Sequence, residues 1–553
     1  MSPGAVFDRE LAMAPRTQGM FIARAVYAGT LLAIVASCWL VVTGSQPLAT
    51  AGDTARFAAT LFRILAPLQF TLAILTAALT TAVAVSIEKE RRTLELLLVS
   101  RLGDAALVVG KIAGGMLKVA LLLASAIPIF ALASVFGGIT APQIARLFAV
   151  TTAAALAVAS IAGAVAFWKD TTFQALAITG FMLVGWLAIG EAVAANQGPE
   201  IAVIVSPARG LFAALAPGGG RFLPGLFVVC GGVIGLANGV AVANVRRWNT
   251  GSERRRPAAA ATARRERTVW TNPVLWREIC TRAHGRAIIV VRIAWLVLFA
   301  AAVAGVVVQT RAPRPDRLAI AAAVVPMVLA SLLAVAALAV TSITTERDRG
   351  AFDLLLVSDL EPGELVWGKL WGVLAAAREI VILPLLLCGA LVATGVCTLE
   401  NGLCLVLGLA ALTFFTAVLG VYAGLSHPAS RSAIAVALGT VAFLCVGVAT
   451  AMRIMVAFGG SFELQLAPFL AVIVGGGVGL YAALAARNPS PAIGWASALL
   501  PALTFVAIAS FLQGNTLQVC LVVLAAYGFA TLAMLVPAIA AFDLLTGRTT
   551  SGD

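Results

Sequence analysis

Apolar residues fill blocks of roughly twenty positions along almost the whole chain, separated by short stretches carrying charge, glycine or proline. A helix needs about 20 predominantly apolar residues to cross the hydrocarbon core of a bilayer. Six such blocks fall at 21–42, 61–87, 112–136, 144–168, 173–195 and 222–245, and five more at 288–308, 318–343, 370–396, 402–425 and 433–451. The crowded stretch 464–545 has room for a re-entrant element and one span, or for three spans. Either count leaves the C-terminus on the same side. The pattern predicts an all-α polytopic membrane protein with about 12 transmembrane helices, or about 14 on the fuller count.

The blocks also repeat. Residues 88–114, EKERRTLELLLVSRLGDAALVVGKIAG, align without a gap on 346–372, ERDRGAFDLLLVSDLEPGELVWGKLWG. Thirteen of the 27 positions are identical, and Lys89/Arg347, Glu90/Asp348 and Glu95/Asp353 keep the sign of their charge. GAVFDREL from Gly4 aligns in the same way with NPVLWREI from Asn272, which puts Arg24 on Arg292. The organisation read from this is a six-helix half at 1–246, an Arg/Ala/Pro-rich linker at 247–271 and a second half of six to eight helices at 272–553. An even number of spans in each half makes the repeat parallel and puts both termini on one face.

Composition agrees with the pattern and adds orientation. The chain is 61% hydrophobic and 11% charged, more apolar surface than one soluble core buries. All five lysines, Lys89, Lys111, Lys118, Lys169 and Lys369, lie toward one face by the span order, which the positive-inside rule makes cytoplasmic. The net charge of +13 is concentrated between 246 and 286, with eleven arginines against Glu253, Glu266 and Glu278. That stretch reads as a positive-inside segment against anionic lipid, with no nucleic-acid partner. The first twenty residues carry Asp8, Arg9, Glu10 and Arg16 and no apolar core, so they are not a cleavable signal. The eight cysteines show no metal spacing and read mostly as apolar span residues; Cys397 and Cys404 bracket a short outer loop, near enough to pair if that side is oxidising.

The repeated segment holds the chemistry. Glu88, Arg91 and Glu95, and likewise Glu346, Arg349 and Asp353, are spaced i, i+3, i+7, one face of a helix leaving the membrane. The LLLVS run then ends the pattern, and Asp104 and Pro362 stand where a returning helix would start. That helix opens with Gly110, Lys111 and Gly114, or Gly368, Lys369 and Gly372, a small-xxx-small pattern suited to close helix packing with a lysine able to snorkel to the interface. Residues 363–369 fit GxxxxGK, but Leu370 stands where a nucleotide site needs Ser or Thr and no strand precedes it. No metal or cofactor site and no enzyme active site is expected in this chain.

These residues resemble the ABC-2 type permease family, whose cytoplasmic segment between the second and third spans reads E-x-E-x-x-T-L-E-L-L-L-x-[ST]-x-L followed by E-L-V-x-G-K-x-x-G. The first copy matches at Glu88, Glu90, Thr93, Glu95, Ser100, Gly110, Lys111 and Gly114; the second matches at Glu346, Asp348, Ser358, Glu364, Gly368, Lys369 and Gly372 but has Gly350-Ala351-Phe352 in place of Arg-Thr-Leu. The resemblance implies amphipathic interfacial helices near 7–16 and 275–286. It also implies a coupling loop at Glu88, Glu90, Arg91 and Glu95, and at Glu346, Asp348, Arg349 and Asp353, that receives motion from a separate cytoplasmic ATPase, in two copies, carrying the ATP and magnesium. The expected role is the permease of an ABC exporter in the inner membrane of a prokaryote-type cell, acting on a substrate the sequence does not identify. The alternatives are an ion- or proton-coupled secondary transporter, with Glu191, Glu379 and Arg453 as its intramembrane charges, or a membrane scaffold.

Overall fold

The computed structural model describes residues 4–13, 16–45, 50–249, 270–280, 288–311, 317–458, 462–488 and 490–546. Among these residues the secondary structure is helical, with no strand. The N-terminal half consists of α1 (Gly4–Met13), α2 (Gln18–Ser45), α3 (Ala51–Glu90), α4 (Thr93–Val99), α5 (Asp104–Val135), α6 (Ala141–Trp168), α7 (Thr172–Gln197), α8 (Pro199–Val205), α9 (Pro207–Leu215) and α10 (Leu223–Asn249). The C-terminal half consists of α11 (Pro273–Cys280), α12 (Ile288–Thr310), α13 (Arg317–Asp348), α14 (Ala351–Val357), α15 (Pro362–Ala376), α16 (Arg378–Ala393), α17 (Leu399–Ser426), α18 (Ser430–Phe458), α19 (Phe462–Leu484), α20 (Ala492–Leu512), α21 (Thr516–Ala540) and α22 (Phe542–Thr546).

Among the described residues twelve helices are long and apolar enough to cross a membrane: α2, α3, α5, α6, α7 and α10, then α12, α13, α17, α18, α20 and α21. The chain is thus an all-α polytopic membrane protein. The block at 370–396, expected to be one span, is broken: α15 and α16 meet at 64°. Residues 464–545 hold α19, α20, α21 and most of α22, of which α20 and α21 are long and apolar enough to span. In the N-terminal half the same place between α7 and α10 is filled by the two short helices α8 and α9. The linker at 250–269 lies outside the described residues, and α10 itself runs on to Asn249. All eight cysteines, Cys397 and Cys404 included, are free thiols.

Local chemistry starts and stops these helices. Thr50 and Asp53 form a reciprocal capping box at the head of α3, Thr140 and Gln143 one at α6, and Glu361 and Glu364 one at α15. Hydroxyls within the spans turn back on their own helix, as Thr80 Oγ1 does to Thr76 O at 2.7 Å and Thr413 Oγ1 to Leu409 O at 2.7 Å. Lipid offers these groups no partner, so the helix must supply one.

The halves meet through matching elements. Helix α3 packs on α18, α13 packs on α7, α2 lies against α18 and α19, and α12 lies against α7. A small apolar cluster of Val83, Ile87, Val340, Ala423, Ile434 and Ala437 spans the seam. Within each half glycines let neighbouring helices approach closely. A Cβ on Gly420 of α17 would lie 2.8 Å from Ala336 O and 2.9 Å from Val340 N of α13, and one on Gly163 of α6 would lie 2.7 Å from Ile112 Cγ1 of α5.

Backbone atoms cannot move aside as a side-chain tip can, so Gly420→Ala should force α13 and α17 apart at a cost of about 1–3 kcal/mol. Gly408→Ala, on the same helix with open space around it, should leave the melting temperature of detergent-solubilised protein unchanged. A Gly420→Ala melt equal to wild type would show that the two helices are not held at this crossing.

Candidate functional site: two charged turns at one end of the bundle

Each copy of the repeated segment folds as a long helix, a tight turn, a short helix, a second turn and a returning helix. Helix α3 ends at Glu90, and Arg92 adopts a left-handed backbone (φ 59°) before α4; α13 ends at Asp348, and Gly350 does the same (φ 70°) before α14. The break corrects the expectation that Glu88, Arg91 and Glu95, or Glu346, Arg349 and Asp353, share one continuous helical face. A left-handed residue cannot lie within a right-handed helix. Glycine adopts that conformation without the steric cost of a Cβ, so the sequence signalled the turn in the second copy, while Arg92 hid it in the first. The returning helices start at Asp104 and Pro362, as the alignment predicts.

The three charged positions that end α3 and α13 tie each helix to its neighbours. At the first position Glu88 Oε1 accepts from Lys111 Nζ of α5 at 2.5 Å, and Glu346 Oε1 stands 2.7 Å from Lys369 Nζ of α15. At the second position Lys89 Nζ donates to Phe167 O at 2.8 Å and Lys169 O at 2.7 Å, at the end of α6. Arg347, its counterpart, donates to Gly424 O at 2.7 Å and to His427 O, at the end of α17. Both cations cap the open carbonyls of a helix C-terminus. Burial holds the His427 imidazole below its usual pKa, its backbone hydrogen bond opposing and Arg347 and Arg487 reinforcing the shift.

At the third position the halves meet. Glu90, buried, accepts from Thr172 N at 2.8 Å, at the head of α7, and from Thr345 Oγ1 of α13 at 3.4 Å. Asp348 Oδ1 accepts from Arg91 Nε at 3.0 Å and Nη2 at 2.9 Å, an ion pair across the seam. Arg349 is exposed and lines an open cavity of about 780 Å³ with Lys89, Arg91, Glu95, Asp170 and Trp248.

The lysines do not snorkel to the surface. Lys111 is 9% exposed and Lys369 1%, each drawn inward by a carboxylate. Lys369 also bonds Glu278 Oε1 of α11 at 2.7 Å, and Arg277 bridges Glu278 to Glu346, closing an alternating ring of four charges. The small-xxx-small glycines receive the interfacial helices. A Cβ on Gly114 would lie 3.0 Å from Glu10 Cγ of α1, and one on Gly372 would lie 2.6 Å from Glu278 Cβ of α11. Gly368 lies as closely against Val274, and Gly110 is buried. Helices α1 and α11 cover only part of the expected 7–16 and 275–286, and residues 14–15 and 281–287 lie outside the described residues. Sequence reasoning missed the roles of Lys89, Arg347, Glu10, Glu278 and Arg277, though the alignments had already set Lys89 on Arg347 and Glu10 on Glu278.

What remains outward is the short helix itself. Glu95 and Asp353 are exposed, and beside them Leu96 and Val99 of α4 are 73% and 88% exposed, Leu354 and Val357 of α14 74% and 84%. Arg246 of α10 holds the end of α4, donating to Asp104 Oδ1 at 2.6 Å and Leu98 O at 3.0 Å. The carboxylates weighed for ion coupling are engaged elsewhere: Glu191 with Arg209, Glu379 with Arg292 and Arg378.

Residues 47–207 match the family model described as ABC-2 family transporter protein, a stretch that takes in α3 to α8 and the whole first charged turn. No curated protein and no solved structure matches the chain significantly. Residues 47–207 are thus similar to ABC-2 family transporter proteins and lie within a bundle of spanning helices, which together support a membrane permease of an ABC transporter.

Proposed function

We propose that the chain is an exporter subunit whose α4 and α14 dock on two copies of a separate cytoplasmic ATPase, which carries the ATP and magnesium. The observation that carries this reading is the matched pair of outward short helices, each presenting a leucine, a valine and an acidic residue at equivalent positions. Behind each one, three consecutive charges fasten the preceding long helix to the bundle. A push on α4 reaches α5 through Glu88, α6 through Lys89 and α7 through Glu90. The coupling role assigned to Glu88, Glu90, Glu346 and Asp348 is therefore one of positioning: they hold the loop, while Glu95, Asp353 and the apolar tips meet the motor.

In this reading the two halves act as two permease units in parallel, with the substrate path between them. Counting the bent pair and α19 as crossings gives each half an even number, which keeps the linker, both termini and both turns on the cytoplasmic face. The lysines and the arginine-rich linker favour that orientation in the inner membrane of a prokaryote-type cell. Export is favoured by the resemblance of the repeated motif.

Cysteines introduced as Val99→Cys and Val357→Cys and carrying a photoreactive probe should each capture an ABC-type ATPase in native membranes. Labelling of lipid alone would mean that the short helices lie on the bilayer surface, and would overturn the docking reading. The double variant Leu96→Asp/Leu354→Asp should lose the ATPase while melting like wild type.

Charge at the buried pair tests the transmission step. Glu88→Lys sets two ammonium groups together where one was paired, a disruption worth about 3–5 kcal/mol for a buried pair. It should lower both stability and ATP-driven transport. The swap Glu88→Lys/Lys111→Glu should restore most of each, and a double-mutant cycle with no coupling between the two sites would rule out their pairing.

A further inference from the structure

The two returning spans differ in one respect that duplication does not explain. Helix α5 runs unbroken through Val119, Ala120 and Leu121, whereas the aligned positions of the C-terminal half are Ala377, Arg378 and Glu379, at the 64° break between α15 and α16. Pro384 within α16 has no N–H to give Ile380 O, and side chains of other helices take the carbonyls around the break. Trp295 Nε1 donates to Glu379 O at 3.2 Å, Ser331 Oγ to Ile380 O at 2.7 Å and Arg292 Nη2 to Ala376 O at 3.3 Å. Trp295 and Ser331 are almost wholly buried. Side chains that take carbonyls from a helical ladder are a recognised cause of such kinks.

Three charges gather at this break. Glu379 lies between two arginines, with Oε1 3.0 Å from Arg378 Nε and Oε2 3.3 Å from Arg292 Nε. One carboxylate between two guanidinium groups leaves a net positive charge. The Arg378 side chain is 64% exposed. Trp367 and Trp371 of α15, stacked with centroids 6.5 Å apart, are outward before the break, and Ile382 and Leu386 of α16 are exposed after it. Tryptophans mark the headgroup level of a membrane helix, and the apolar residues beyond them face acyl chains. An outward arginine at that boundary meets lipid, where an unmatched charge is costly. A phosphate matches it, because guanidinium donors bind its oxygens in a planar, forked geometry.

We propose that Arg292 and Arg378 form a binding site for the phosphate of an anionic phospholipid, with the headgroup seated at the α15–α16 break beside the Trp367–Trp371 pair and the acyl chains along Ile382 and Leu386. The N-terminal half keeps cations nearby, Arg24 aligned with Arg292 and Lys118 with Ala376, but has Ala120 and Leu121 in place of Arg378 and Glu379 on an unbroken helix. The bound lipid distinguishes one half of the permease from the other and braces the break next to the second charged turn.

The test uses the full chain purified in neutral phosphatidylcholine micelles and titrated with phosphatidylglycerol. Native mass spectrometry should find one phosphatidylglycerol retained per chain, with a raised melting temperature. Arg292→Gln/Arg378→Gln should cut that retention by about tenfold, as expected for loss of a charge-assisted contact. Wild-type retention in this variant would overturn the site, as would an equal rise in melting temperature with inorganic phosphate alone. If the variant does not fold, a phosphatidylglycerol with a photoreactive headgroup supplies the same test on the wild-type chain. Labelling should fall between Trp371 and Ile382, and labelling only elsewhere would refute the proposal.

Discussion

Charge inside a membrane protein has to be answered within the protein, and the ends of α3 and α13 are organised around that constraint. Lys111 and Lys369 lie almost fully buried at the start of returning spans. Each is tolerated because a carboxylate from the preceding span stands within hydrogen-bonding distance. An unpaired buried ammonium is strongly unfavourable, so the two ion pairs fix the separation of α3 from α5 and of α13 from α15. The glycines one turn on then admit α1 and α11, whose Glu10 and Glu278 pack directly against them. The pairing thus determines where the interfacial helices lie and how the short outward helices are presented.

Much of this was legible in the sequence. Hydropathy located every span of the N-terminal half, and the ungapped repeat located both turns and the first residue of both returning helices. The signals that failed were those depending on partners far along the chain. Lys369 reads as a snorkelling residue because its partner Glu278 is 91 positions away. Near the break at Ala377 the sequence offers only Pro384, which leaves Ile380 O without a donor, while Trp295, Ser331 and Arg292 that take the carbonyls come from two other helices. Arg92 conceals a left-handed turn that Gly350 announces at the same position. The charged motif itself was visible, but spacing alone could not tell whether its carboxylates faced a partner or the bundle.

The halves share a plan and differ in how firmly it is fastened. In the C-terminal half Glu278, Lys369, Glu346 and Arg277 close a ring in which each charge touches two of opposite sign. In the N-terminal half the Glu88–Lys111 pair stands in that place, and Arg246 secures the far end of α4 instead. A ring resists displacement more than a single pair, because no member can leave without exposing two others. The same force applied to α4 and α14 would therefore move the two turns unequally.

The seam between the halves shows where such a difference would be felt. Arg91 reaches across to Asp348, and the mirror-image bond would join Arg349 to Glu90. Glu90 is already engaged, holding Thr172 N at the head of α7 and Thr345 of α13. Both bonds fall on Glu90 Oε1, and α7 packs on α12 and α13 of the opposite half. Asp348 has a second, buried oxygen with no hydrogen-bond partner among the described residues, so its own pairing is not saturated. Glu90 thus joins the end of α3 both to the head of α7 and to α13 across the seam, while Asp348 of α13 returns the connection to Arg91.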